Sequence, residues 1–300
     1  MLRRRLASAV VIIAAVIALM VFDFQLGIDS GFGRPGIVLS VVAILVAVVS
    51  CHELVHLAQQ HFPKLSLRNH LAISVVTISI CSAPVLWKDY PVDCSIGLFG
   101  WSMIALTFAV GMTWLLEVIS YSGDGKGSSR AACAVLIHTQ LILLFGFFIA
   151  HRLMFGSNAI GIIALVNLIA TVKMSDAAAY FFGRAFGKTK LAPTLSPGKT
   201  VEGLLGSVVG AIVGCAIVLY VVAWLLLGYQ MHFPIWWVVV YAIVVTIAGV
   251  VGDLSESMMK RDAQIKDSSS WLPGLGGVLD ITDSLVLAAP ISYFLWILLK

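Results

Sequence analysis

The sequence predicts an all-α, polytopic integral membrane protein with about nine transmembrane helices, and three observations carry that prediction. Hydrophobic residues make up 60% of the 300, with a mean hydropathy of +1.01, whereas soluble domains use about 45–50%. Apolar stretches long enough to cross a bilayer, which takes about 20 residues, recur along the whole chain. Basic residues gather on alternate connections between those stretches.

In order, the stretches lie near 6–26, 36–57, 71–87, 96–121, 131–151, 158–181, 204–228, 234–252 and 284–299. The first follows Arg3, Arg4 and Arg5. That resembles the basic start of a signal peptide, but no small-residue cleavage site follows, so an uncleaved helix is expected. With the N-terminus inside, the inward segments are 1–5, 58–70, 122–130, 182–203 and 253–283. They hold Arg3, Arg4, Arg5, Lys64, Arg68, Lys126, Arg130, Arg184, Lys188, Lys190, Lys199, Lys260, Arg261 and Lys266, fourteen in all. Only Arg34, Lys88, Arg152 and Lys300 fall outside, with Lys173 inside a span. The positive-inside rule therefore puts the N-terminus and both long polar loops, 182–203 and 253–283, on the cytosolic side, and the compact loops without an organelle-type leader suggest a bacterial cytoplasmic membrane.

Several function classes drop out. Cys51, Cys81, Cys94, Cys133 and Cys215 are scattered and odd in number, which suggests neither a disulfide framework nor a zinc cluster. The net charge of +4 is divided among short loops, so no nucleic-acid-binding stripe exists.

Residues 1–157 read as scaffold helices joined by short loops rich in Gly, Ser and Pro, such as 31–36 and 122–129. The second of these lacks the strand-then-helix setting of a phosphate cradle and reads as a flexible turn. His52-Glu53-Leu54-Val55-His56 is an H-E-x-x-H match. On a helix it sets two imidazoles on one face beside a carboxylate, as in zinc proteases. The same loop also carries His61 and His70, so a chance match in a histidine-rich loop is the preferred account.

Residues 158–300 read as the catalytic region. Lys173 and Asp176 sit inside an apolar stretch at i,i+3. Intramembrane charge is costly and points to function, here a pair on one helix face. Gly183 and Gly187 let the chain leave the helix, and Pro193 and Pro197 stiffen the basic loop that follows. The window from Gly252 to Ser284 holds five aspartates, one glutamate, two lysines and an arginine. Asp253 and Glu256 share a face at the end of one span, and Asp280 and Asp283 open the last. Carboxylates at two helix ends can hold a divalent cation, and ammonium or guanidinium groups can neutralise phosphate.

These residues resemble the phosphatidate cytidylyltransferase family, also called CDP-diglyceride synthases. The family's C-terminal pattern is matched in register by Ser257, Lys260, Arg261, Lys266, Asp267, Ser269, Leu272, Pro273, Gly274, Gly276, Gly277, Asp280 and Asp283. The elements Ser175-Asp176, Gly183-Arg184, Ser196-Pro197, Lys199-Thr200, Glu202-Gly203 and Gly252-Asp253 also resemble the family's. The likeness covers about 173–284, and two positions depart from it: Leu275 stands where the family has His, and Ile281 where it has Arg.

The resemblance implies transfer of a cytidylyl group from CTP to phosphatidate, giving CDP-diacylglycerol and diphosphate. It implies Mg²⁺, with a second cation such as K⁺, held by Asp253, Asp280 and Asp283, and Lys260 joins those aspartates in the catalytic group. Substrate contacts are implied for Asp176, Arg184, Lys188, Ser196, Lys199, Thr200, Glu202, Arg261, Lys266 and Asp267. The implied partners are CTP, phosphatidate and membrane lipid, and a homodimer is compatible with all of this. Competing readings are a relative acting on another lipid phosphate, isoprenoid or ether-linked; a zinc protease using His52, Glu53 and His56; and a transporter or inactive homologue.

Overall fold

A computed structural model describes residues 2–28, 35–87, 90–91, 94–228, 233–272, 274 and 276–299. Arg34, Lys88, Pro273, Leu275 and Lys300 lie outside the described residues, as do the side chains of Arg3, Arg4 and Arg5. The chain forms two compact units, 1–158 with 262–282, and 159–261 with 283–300.

The first unit contains α1 (Leu2–Leu26), α2 (Ile37–Gln59), α3 (Leu67–Cys81), the short α4 (Ala83–Leu86), α5 (Gly97–Ile119), α6 (Gly127–Leu141) and α7 (Phe147–Arg152). A π-helical turn, Ile142–Gly146, joins α6 to α7. Helix α2 packs on α3 and α6, and α3 on α5, around Ala47, Cys51, Val55, Ile78, Ala105 and Ala109.

Charges inside these apolar helices are paired, as a low-dielectric setting demands. Asp23, fully buried in α1, accepts hydrogen bonds from the amides of Gly36, Val38 and Leu39 at 3.0, 3.0 and 3.3 Å. Its other partner is Arg152 Nε at 2.6 Å. The amides belong to the start of α2, where the helix dipole favours an anion. The Arg152 guanidinium also donates to Asn158, whose amide bonds the Phe24 carbonyl at 3.0 Å.

The second unit takes up α8 (Asn158–Phe186), a hairpin of β1 (Lys190–Ala192) and β2 (Ser196–Thr200), α9 (Val201–Ala216), α10 (Ala223–Leu227) and α11 (Ile235–Asp262). It closes with the larger part of α12 (Leu279–Leu298). A second π-helical stretch, Ile217–Val222, links α9 to α10. Helix α9 lays Gly206, Gly210 and Gly214 along Phe182, Ala178 and Met174 of α8, the small-residue contact by which membrane helices approach closely. Phe233, Trp237, Tyr241 and Trp296 stack at the other end, and the Tyr241 hydroxyl meets Ser292 Oγ at 2.7 Å.

Among the described residues, seven helical segments are long and apolar enough to span a membrane: 37–59, 97–119, 127–156, 158–186, 201–227, 235–262 and 279–298. Val10–Leu26 and Leu67–Cys81 are apolar but shorter. The protein is thus a polytopic membrane protein, with seven bilayer-length helices among the described residues where nine spans are expected from hydropathy. The expected loops also shrink. Helix α11 runs 28 residues, through Asp253, Glu256 and Lys260 to Asp262, so the connection is only 263–278. Residue Gly183 stays helical and the chain leaves α8 after Phe186, into the hairpin whose register pairs Lys190 with Thr200 and Ala192 with Ser196.

Candidate functional site

Two carboxylate centres emerge, one in each unit. In the second unit, α11 and α12 cross at Gly252, where a Cβ would stand 2.6 Å from the Asp283 carbonyl oxygen. Only glycine permits that approach, and it sets the acidic end of α11 beside Asp283. Glu256 is buried against Asp283 and Lys260, whose Nζ lies 3.0 Å from Glu256 Oε1. Asp253 faces Asp283 closely enough to repel it, while Lys173 attracts it. Lys199 Nζ lies 2.7 Å from Asp253 Oδ2, and Ser257 Oγ lies 3.5 Å from Asp253 Oδ1.

On α8, Lys173 Nζ is 3.3 Å from both Asp176 Oδ2 and Ser284 Oγ. The Ser284 hydroxyl donates to Asp176 Oδ2 at 3.1 Å, and its amide to Asp283 Oδ1 at 2.5 Å. Four acids and three lysines therefore share one region of this unit. Carboxyl groups brought together out of water need positive charge or a proton between them. Mg²⁺ takes one or two protein carboxylates and completes its shell with water and substrate phosphate. The oxygen donors of Asp253, Glu256 and Asp283 suit it in kind, although no three His, Cys, Asp or Glu among the described residues form a ready-made ligand cage.

The remaining basic-loop residues divide by role. Glu202 accepts hydrogen bonds from the amides of Lys188 and Thr189 at 3.1 and 3.2 Å, which closes the turn after α8. Thr200 caps α9, its Oγ1 accepting from the Gly203 amide at 3.1 Å. Ser196 lies in β2, opposite Ala192. Arg261 Nε donates to the Leu195 carbonyl at 3.2 Å, and Arg184 to the Tyr180 hydroxyl at 3.3 Å. Lys188 and Arg184 are exposed. Glu202 and Thr200 thus shape the loop, and the cations are the groups it presents.

The first unit holds the other centre. Asp280 Oδ2 accepts from the Ser268 amide at 2.9 Å, the Ser268 hydroxyl at 2.8 Å and the Gly277 amide at 2.7 Å. The carboxylate expected as a third metal ligand is here a loop anchor. Lys266 and Asp267 stand exposed on the same loop, and Ile281 lies half-buried one residue on. Glu53, from α2, completes this centre: it is 1% exposed and accepts from Ser268 Oγ, Ser269 Oγ, Val278 N and Leu279 N.

That arrangement corrects the zinc reading of H-E-x-x-H. His52 and His56 do lie edge to face, with ring centroids 4.5 Å apart, but the next ring beside His52 is Trp271, at 5.5 Å. Both oxygens of Glu53 are engaged by protein donors and cannot serve as the base of a metal-bound water. Sequence reading passed over Asp23, and gave Glu53 no role outside the zinc motif, because it treats the first half as scaffold. The available signal was a carboxylate inside an otherwise apolar helix, which must have a partner.

Comparison with known proteins agrees with the motif. The sequence model of the cytidylyltransferase family matches residues 3–299. A protein of Chlamydia muridarum named phosphatidate cytidylyltransferase is 41% identical over 160 residues, 53% of this chain and 50% of that one. A Brucella suis protein of the same name is 37% identical over 208 residues, 65% of this chain and 72% of that one. One from Staphylococcus epidermidis is 30% identical over 286 residues, 95% and 97% of the two chains. Against the chlamydial and Haemophilus influenzae relatives the match spans about half of their length.

Proposed function

Since the chain belongs to the cytidylyltransferase family, we propose that it transfers the cytidylyl group of CTP to phosphatidate, forming CDP-diacylglycerol and releasing diphosphate. The observation that carries this reading is the clustering of Asp176, Asp253, Glu256 and Asp283 with Lys173, Lys199 and Lys260 in one unit. All but Lys173 and Glu256 were assigned site roles from the family pattern.

The chemistry asks little of a base. A phosphate oxygen of phosphatidate, already anionic, attacks the α-phosphorus of CTP. The bond from that phosphorus to the bridging oxygen breaks, and the electron pair leaves with diphosphate. The protein's task is to hold the two phosphates in line and neutralise them. Asp253 and Asp283, with Glu256 behind them, would hold Mg²⁺. When bound, that ion supplies charge neutralisation for the departing diphosphate. Lys199 and Lys260 each pair with a carboxylate in the structure, and a triphosphate competes for the same ammonium groups. Arg184, Lys188 and Arg261 add exposed cations for either phosphate. We place this face on the cytosolic side, where CTP is available, on the strength of the fourteen inward basic residues.

The test is transfer of label from α-labelled CTP into solvent-extractable lipid by the purified protein in detergent, with phosphatidate and Mg²⁺, against EDTA and no-lipid controls. Label that needs both lipid and Mg²⁺ is expected. Label with an isoprenoid phosphate but none with phosphatidate would replace the acceptor, and no label with any acceptor would overturn the assignment.

A further inference from the structure

The carboxylate of Glu53 is held by four donors from one loop. Oε1 accepts from Ser269 Oγ at 2.7 Å and Val278 N at 3.1 Å, and Oε2 from Ser268 Oγ at 3.0 Å and Leu279 N at 2.8 Å. The two amides open α12, so the anion also sits at the positive end of a helix. Gly277 lies so close that a Cβ there would fall onto both Glu53 and Ser268. The same Ser268 hydroxyl reaches Asp280 Oδ2, 2.8 Å away. Among its described residues, the loop 263–278 has no regular structure beyond an isolated bridge between Leu272 and Gly276. Glu53 ties its middle and its C-terminal end to α2, beside the ring contact of Trp271 with His52.

We propose that Glu53 is a positioning residue for the reaction: it fixes the 263–278 loop and the first turn of α12, and so sets where Lys266, Asp267 and Asp280 stand. This inference rests on the cytidylyltransferase reading for its consequence in turnover, but not for the anchor itself. Hydrogen bonds to a charged acceptor are short and strong, and four of them leave the loop one arrangement. A neutral amide in the same place accepts through one oxygen only. Its NH₂ group then faces two N–H or O–H donors, so the anchor is half broken without a change in side-chain volume.

The experiment compares the wild-type protein with Glu53→Gln in detergent by hydrogen exchange of the peptides covering 266–280, alongside steady-state kinetics with CTP and phosphatidate. Exchange in those peptides is expected to rise while that of α2 to α6 stays level. Outer-shell supports of this kind are worth about 10- to 100-fold, and kcat/KM for CTP should fall by that amount, with KM itself raised. A variant that merely folds less would lower kcat at unchanged KM. Glu53→Asp, which keeps the charge, should recover part of both effects.

Unchanged exchange in 266–280 overturns the anchor, and altered exchange with KM and kcat near wild type overturns the positioning role. Should Glu53→Gln not fold, Ser269→Ala removes a single bond and must shift both readouts in the same direction. If the wild type turns over no CTP, the functional reading fails by itself, and the exchange measurement still decides whether Glu53 holds the loop.

Discussion

The two carboxylate centres are built from the same residue types and satisfied in opposite ways. Glu53 and Asp280 are surrounded by amides and hydroxyls whose positions the backbone fixes. Asp253, Glu256, Asp283 and Asp176 are met chiefly by lysines and by each other, with Ser257 and Ser284 adding a few hydroxyl and amide contacts. Backbone donors cannot move away without unmaking the loop. An ammonium group on a four-carbon stem can, and a cation or phosphate can take its place. The contrast separates acids that define a shape from acids that remain open to exchange, which no count of acidic residues would do.

The sharpest way to break this contrast is Asp283→Asn. If the second centre handles the reacting phosphates, transfer of label falls by about 10²- to 10³-fold, with the protein still folded and the exchange of 266–280 unaltered. Activity near wild type would move the chemistry elsewhere. Next comes Asp23→Asn, which attacks an acid of the fixed kind. Removing one partner of a buried pair costs about 3–5 kcal/mol, so the unfolding midpoint in detergent drops, while turnover per folded molecule stays within about twofold of wild type. A selective loss of turnover would mean that this clamp reaches the chemistry.

Lys199→Gln should be milder. The pair with Asp253 is partly exposed, at 24% and 29% for the two side chains, so stability changes little. The KM for CTP rises about tenfold if the ammonium group binds phosphate, and an unchanged KM would make Lys199 a mere counter-ion. The smallest effect belongs to Asp124, in the turn before α6. Its carboxyl is held well below the ordinary carboxylate range by Arg130, then by the Lys126 amide and by Lys64. A depressed folded-state value stabilises the protein above the ordinary carboxylate pKa and is lost as pH falls through the folded one. Any advantage of wild type over Asp124→Asn in unfolding midpoint should therefore be level between pH 5 and 8 and vanish in acid.

Much of the architecture was legible because apolar runs in a membrane protein are long and unambiguous. Helix ends were less so. A hydropathy reading of α11 stops at Asp253, but Ser255 to Arg261 continue as helix-competent residues, and the turn of charge lies on the helix itself. The short β-hairpin was hidden for the converse reason: Pro193, Pro197 and Gly198 read as loop, and three residues of pairing leave little pattern. In the site, the acids and lysines of the second unit announced themselves as charge beside apolar runs. The loop-anchoring contacts of Asp280 did not, since they depend on where Ser268 and Gly277 stand. The anchoring role of Glu53 was not legible either, because H-E-x-x-H fixes the helix face and says nothing about what faces it.

Helix α11 is 28 residues long, about 42 Å at 1.5 Å per residue, against a hydrocarbon layer of about 30 Å. Its last three turns, which carry Asp253 to Arg261, therefore have the reach to stand among lipid head groups. A lipid phosphate can meet them while its acyl chains stay in the leaflet, so nothing has to be extracted. On the proposed reading, the acceptor's relevant concentration is its mole fraction in the surface: adding inert phospholipid should slow the reaction, whereas diluting the same vesicles in buffer should leave it unchanged.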